Sequence, residues 1–153
     1  MHLVLTYFHQ IRGPEILMSY PEIELEQDVI EKLTKFFDLE INETFFEIVL
    51  INKHKKIINL FFELHSEWSR GKKELAMLSL IMDEKFQSQL IYSFLVDAVQ
   101  KIISTENIFK GFYKNDLFRD RGKDIEIDLK YQSIKEILYF CLIKLIERLS
   151  SKP

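Results

Sequence analysis

Three β-type runs, Phe45 to Asn52, Lys56 to His65 and Lys73 to Met82, follow one another with only the charged connectors Lys53-His54-Lys55 and Ser66 to Lys72 between them. Connectors this short join antiparallel neighbours, so the runs predict consecutive hairpins in one sheet. The second run places Ile58, Leu60, Phe62 and Leu64 on one face and Ile57, Asn59, Phe61, Glu63 and His65 on the other. The third sets Ala76, Leu78, Leu80 and Met82 against Leu75, Met77, Ser79 and Ile81. A sheet with one buried face alternates apolar and polar residues more cleanly than this, so the central strands need cover on both sides. Helices must therefore lie on each face.

The rest of the chain supplies them. His2 to Ile11 is rich in β-branched and aromatic residues, Arg12-Gly13-Pro14 breaks the pattern, and Glu15 to Tyr20 resumes it, which predicts a strand, a turn and a strand. Leu25, Val29, Leu33, Phe36 and Phe37 fall on one face of a helix ending near Asp38, with Asp28/Lys32 and Glu31/Lys35 pairs on its solvent side. Ser19-Tyr20-Pro21-Glu22 has the form of a capping box with Pro in the first turn, though two later residues could equally start the helix. Ile91, Leu95, Ala98 and Ile102 mark a second helix, and Ile134, Leu138, Cys141, Leu145 and Leu149 a third. Between them Asn107 to Asp128 reads as a mixed aromatic and charged connector, irregular and partly ordered. The element order is β-β-α-β-β-β-α-α, an α+β class.

Composition narrows the function. The 153 residues are near the common size of one domain. With 47% hydrophobic residues and a net charge of −3, the chain is too apolar for a disordered segment and too neutral for a typical nucleic-acid binder. Thirteen phenylalanines, which carry no polar handle, predict a large dry core. Cys141 is the only cysteine, so no intramolecular disulfide forms, and its apolar helical setting suits a small hydrophobe. No basic leader opens the chain and no run approaches the ~18 apolar residues of a membrane span, so a cytoplasmic location is expected.

Residues able to do chemistry are scattered. His2, His9, His54 and His65 lack helical i, i+4 pairing and matched ligands, and the ordinary reading of strand or surface histidines outweighs zinc binding. Asp124, Glu126 and Asp128 would align if extended, without the glycine and distant glutamate of a calcium loop, and read as a solvated strand edge. No catalytic, cofactor or metal residues are assigned, and no enzyme activity is expected. Two basic clusters, Lys53-His54-Lys55-Lys56 and Arg70-Gly71-Lys72-Lys73, cap successive hairpins and so fall at opposite ends of the sheet. Solubilising turns account for both, with a membrane-surface or acidic-partner contact as the sharper alternative.

With its first hairpin turned at Gly13-Pro14-Glu15 and its second strand running into Ser19-Tyr20-Pro21, this order of elements resembles a longin domain from His2 to about Leu149. The resemblance implies a three-layer α-β-α sandwich around a five-stranded, mostly antiparallel sheet in order 2-1-5-4-3. The first helix would cover one face and the last two the other. It implies one longin-like domain over residues 1–153, with the irregular connector at about 105–129. A longin SNARE would continue into a heptad segment and a membrane anchor, so fusion activity is not expected. A PAS-type sensor shares the sheet order but packs several short helices where Pro21 to Thr44 holds one.

The resemblance also implies a function. Longin domains act in vesicle trafficking and small-GTPase regulation, and many accept a partner in the groove between the first helix and the third strand. Leu33, Phe36, Phe37, Phe45, Phe46 and Ile48 are the candidate contributors here, and Phe140, Ile143 and Ile146, outside the main stripe of the last helix, form a second candidate interface. Expected partners are a Ras-like small GTPase or a longin- or roadblock-type subunit, with homodimerisation through a strand edge a further option and peripheral membrane contact open; no nucleic acid and no cofactor are expected. The alternative is a PAS-like small-molecule sensor with an apolar pocket inside the sheet.

Overall fold

The structure is a computed structural model that describes residues 1–22, 24–35, 45–116 and 125–151. Strands β1 (His2–His9) and β2 (Gly13–Tyr20) form the first hairpin. Its turn is Gln10 to Arg12, earlier in the chain than Gly13-Pro14-Glu15. Two contacts move it there. The His9 imidazole accepts from the backbone N–H groups of Ile11 and Arg12, each at 3.1 Å, and Gly13 adopts φ +79°, which suits a residue without Cβ. Pro14 then pairs with Phe8 inside an edge strand, where its missing N–H costs no ladder bond if it faces outward.

Helix α1 (Gln27–Lys35) follows, opened by the Glu26 carbonyl, which accepts from Val29 and Ile30 at 3.0 and 3.1 Å. The Ser19-Tyr20-Pro21-Glu22 box does not start it, because Ser19 and Tyr20 remain in β2, paired with Val4 and Leu3. The expected helix end near Asp38 lies outside the described residues. Strands β3 (Phe45–Leu50), β4 (Lys55–His65) and β5 (Lys73–Asp83) pair as successive antiparallel hairpins, and β5 also pairs with β1. The sheet order is β2-β1-β5-β4-β3, as expected. Helices α2 (Tyr92–Ser104) and α3 (Glu126–Ser150) complete the layers.

Each sheet face has its own core. Leu3, Leu5, Ile58, Leu60, Leu78 and Leu80 pack against Leu95, Ala98 and Ile102 of α2 and Ile134, Leu138 and Leu145 of α3. The other face packs Val4, Ile57, Met77 and Ile81 against Val29 and Leu33 of α1. The split follows the predicted alternation along β4 and β5 residue by residue. On the α1 face, fully buried Asn59 and Ser79 satisfy each other: the Ser79 hydroxyl donates to Asn59 Oδ1 at 2.6 Å.

The connector expected at about 105–129 contributes to the core. A 3-10 turn at Ile108–Tyr113 buries Ile108, Phe109 and Phe112 under α3, and Trp68 meets Phe109 and Tyr113 edge to face at 5.4 and 5.1 Å. The carboxylates of Glu126 and Asp128 are not on an extended edge. They sit in the first turn of α3, where negative charge favours the helix N-terminus, and pair with Lys110 and Lys114. Asp124 lies outside the described residues.

Candidate partner-binding groove

The two sheet edges are built differently. β2 carries Pro14 and a bulge at Leu17, where the register with β1 shifts between Leu5 and Thr6. Helix α3 also leans on it: the Tyr131 hydroxyl donates to the Leu17 carbonyl at 3.3 Å, Lys135 pairs with Glu22, and Tyr20 meets Tyr139 at 5.5 Å. Proline, a bulge and a covering element are the usual means of blunting an edge. β3 has neither proline nor bulge over Phe45–Leu50, and among the described residues no strand pairs with its outer side.

A groove runs beside that edge. Asp28 and Lys32 of α1 face Val49 and the following residues Ile51 and Lys53 across a cleft of about 310 Å³. Ile51 is 78% exposed and Val49 50%. An adjoining apolar hollow of about 190 Å³ is floored by Leu25, Val29, Leu50 and Ile81, with His2 and Lys55 at its rim. Lys53, in the 3-10 turn after β3 (Ile51–Lys53), fixes the width of the groove. It pairs with Glu26 and, at 2.7 Å, with Asp28, so the end of the edge strand is tied to the start of α1. The bond from Lys53 holds the Asp28 carboxyl below its ordinary range, and Asp28 in return raises the Lys53 ammonium. At the rim, burial, with the N-terminal amine and Lys55 adding to it, lowers the His2 imidazole, which favours its neutral form.

No family model matches the chain, and no curated protein sequence matches it. Among solved structures it is similar to the longin domain of Lst4 from K. lactis, with 14% identity over 92% of this chain and 95% of that chain and a TM-score of 0.47. The sheet order, the element order and the division of one helix against two are those the longin resemblance implies. In sheet order and layering the fold is longin-like.

In this longin-like fold the residues expected at the groove are not one surface. Leu33 is 0% exposed, part of the core beneath α1, so it supports the groove without lining it. Phe45 and Phe46 point to opposite faces, as neighbours on a strand must. Phe45 meets Tyr92 at 4.6 Å on the α2 side, while Phe46 stacks on Phe61 at 5.4 Å on the α1 side. Ile48 is partly buried against the α1-face core. Phe36 and Phe37 lie outside the described residues. The exposed apolar residue at the groove is Ile51, which is outside the expected set. Val49, also exposed, shares the face of Phe45 on the α2 side of the strand.

The residues of the second expected surface lie along one side of α3. α3 is apolar on its outer side as well as its inner one: Phe140 is 55% and Ile146 48% exposed, and Ile143 is half-buried between them. Cys141, one residue on from Phe140, faces inward, with its Sγ 3.5 Å from the Phe94 carbonyl; burial pushes its thiol up to about 12. Among the described residues no group of His, Cys, Asp and Glu could hold a metal ion, and no helix is long and apolar enough to cross a membrane.

Proposed function

We propose that the chain is a non-enzymatic, longin-like protein-interaction module that works with a Ras-like small GTPase or within a trafficking or signalling complex in the cytoplasm. The observation that carries this reading is the contrast between edges: β2 is blunted, whereas among the described residues no strand pairs with the outer side of β3, beside a cleft that opens on an apolar hollow. An open edge offers unpaired backbone groups to an added strand, and the groove offers apolar area for its alternate side chains. The added strand would come from a small GTPase, from a longin- or roadblock-type subunit or from a second copy of this chain. Phe45, Phe46, Ile48 and Val49 then belong to the strand being extended, while Ile51 makes the contact in the groove.

The test is a binding titration of the purified chain against small GTPases loaded with GDP or a GTP analogue, with light scattering to follow self-association. Ile51→Asp is expected to weaken the complex at least about tenfold while leaving the fold intact, since a buried charge at an interface is strongly unfavourable. Val49→Asp, on the opposite face of the edge strand, should weaken it less, and binding that ignores Ile51→Asp would remove the groove from the proposal. A PAS-like sensor, the alternative, would reveal itself by a small molecule retained in native mass spectra.

A further inference from the structure

The far end of the sheet carries a second pattern. Register sets β3 beside Lys55–Leu60 of β4, whereas the β1–β2 and β4–β5 turns lie beyond Phe8 and His65. From Lys55, which pairs with Leu50 beside the groove, to His65 is about 33 Å along β4 at ~3.3 Å per residue. The two turns are joined there, because the Gln10 amide donates to the Ser69 hydroxyl at 2.7 Å.

Ile11 is the apex of the first turn and is 77% exposed. Its backbone is held by the bonds to His9, so the side chain is fixed outward. Phe8 and Leu75, each 39% exposed, stand behind it and line, with Arg70 and Lys73, an open cleft of about 430 Å³ between the turns. Residues 10–12 and 66–73 hold the cations Arg12, Arg70, Lys72 and Lys73 against one acid, Glu67, on a chain whose net charge is −3. Along the flanking strands, Glu15 pairs with Arg12 at 2.6 Å and Glu63 with Lys73 at 3.3 Å. Glu74 is buried and accepts from Ser66 and Tyr113, so it does not answer the surface cations. Arg70 makes no ion pair among the described residues.

We propose that this end of the sheet docks on an anionic membrane surface. Ile11 enters the headgroup boundary, and Arg70 and Lys72 meet the lipid phosphates and carboxylates. Interfacial binding needs apolar area together with attraction to anionic lipid, and both are presented at one end. The projection of Ile11 decides for a membrane over an acidic protein. A side chain held out at a turn tip needs a matching pocket in a folded partner, whereas a bilayer deforms around it. Docked this way, the chain would leave the β3 groove at its opposite end open.

The experiment is co-sedimentation of the full chain with phosphatidylcholine vesicles, with and without about 30% phosphatidylserine, at low and at high salt. The expected result is binding to the phosphatidylserine vesicles, at least about tenfold weaker on phosphatidylcholine alone and reversed by salt. The pair Arg70→Glu and Lys72→Glu should abolish it, Ile11→Asp should weaken it severalfold, Ile11→Phe should retain it, and Lys55→Glu at the other basic cluster should change it little. Thermal unfolding of each variant checks that the fold persists. Absence of binding to phosphatidylserine vesicles would overturn the proposal, as would binding that both acidic variants leave unchanged. Binding lost with Arg70→Glu and Lys72→Glu but indifferent to Ile11→Asp would point to an acidic protein surface and equally overturn the membrane assignment.

Discussion

Phe46 of β3 lies over Phe61 of β4 with ring centroids 5.4 Å apart and planes inclined by 25°, which makes the edge strand part of the α1-side core as well as a border of the groove. Phe46→Asp places a carboxylate in that stack and is expected to cost at least about 3 kcal/mol of stability. Val49→Asp and Ile51→Asp, on exposed neighbours, should each cost under about 1 kcal/mol. Urea titrations of the three variants separate residues that hold the strand from residues that present it.

Asn59 and Ser79 form a polar pair inside an apolar face, so each depends on the other. Ser79→Ala removes the donor and leaves Asn59 Oδ1 buried without it, an expected loss of about 1–3 kcal/mol. Asn59→Ala should cost a similar amount, and the double variant less than the two together. A double-mutant cycle by chemical denaturation measures the coupling; strict additivity would show that the pair contributes nothing jointly.

Gly111 touches the backbone of α3 so closely that an added Cβ would meet Tyr131 N at 2.8 Å and the Lys130 carbonyl carbon at 3.0 Å. Neither atom can move without shifting the helix. Gly111→Ala is therefore expected to destabilise by about 1–3 kcal/mol despite the higher helix propensity of alanine. Trp68, the single tryptophan, packs on the same turn through Phe109 and Tyr113, so its fluorescence should report the displacement directly.

Cys141 sets an alkaline limit. Its folded-state thiol is raised from 9.0 to about 12, chiefly by burial, so the unfolded chain gives up the proton first. Stability is unaffected below pH 9 and falls as pH rises from 9 toward 12, by up to about 1.4 kcal/mol per unit. Comparing wild type with Cys141→Ala in urea at pH 7.5 and pH 10 isolates this slope, which the variant should lack. At neutral pH a thiol reagent should label native protein only as fast as the chain opens.

Much of the fold was legible in the sequence because period and burial agree along β4 and β5. Ile58, Leu60 and Leu64 against Ile57 and Phe61 already required helices on both faces, and the helical spacing of Val29 and Leu33, of Leu95 and Ile102 and of Leu138 and Leu145 supplied them. Those signals are local and survive without knowledge of neighbours. The first turn was misplaced because a side chain decides it, His9 capturing two amides; of the starts left open for α1, the capping-box one is excluded because Ser19 and Tyr20 are held in the ladder by Val4 and Leu3. Of the side chains expected at the groove between α1 and β3, Leu33 is buried in the core and Phe45, Phe46 and Ile48 are partly buried against it, because a large apolar side chain is the first to find cover.

By itself the sequence determined the element order, the two-sided burial of the sheet and the placing of its basic turns at opposite ends, since each follows from spacing along the chain. Only the tertiary structure decided which apolar residues remain outside. Leu33 went into the core because α1 lies on the sheet there, Phe46 packs partly buried on Phe61 at its edge, and Ile11, Val49 and Ile51 stayed exposed at or near strand ends. Burial is a property of the assembled layers, and a hydrophobic side chain cannot signal in advance whether a neighbour will cover it.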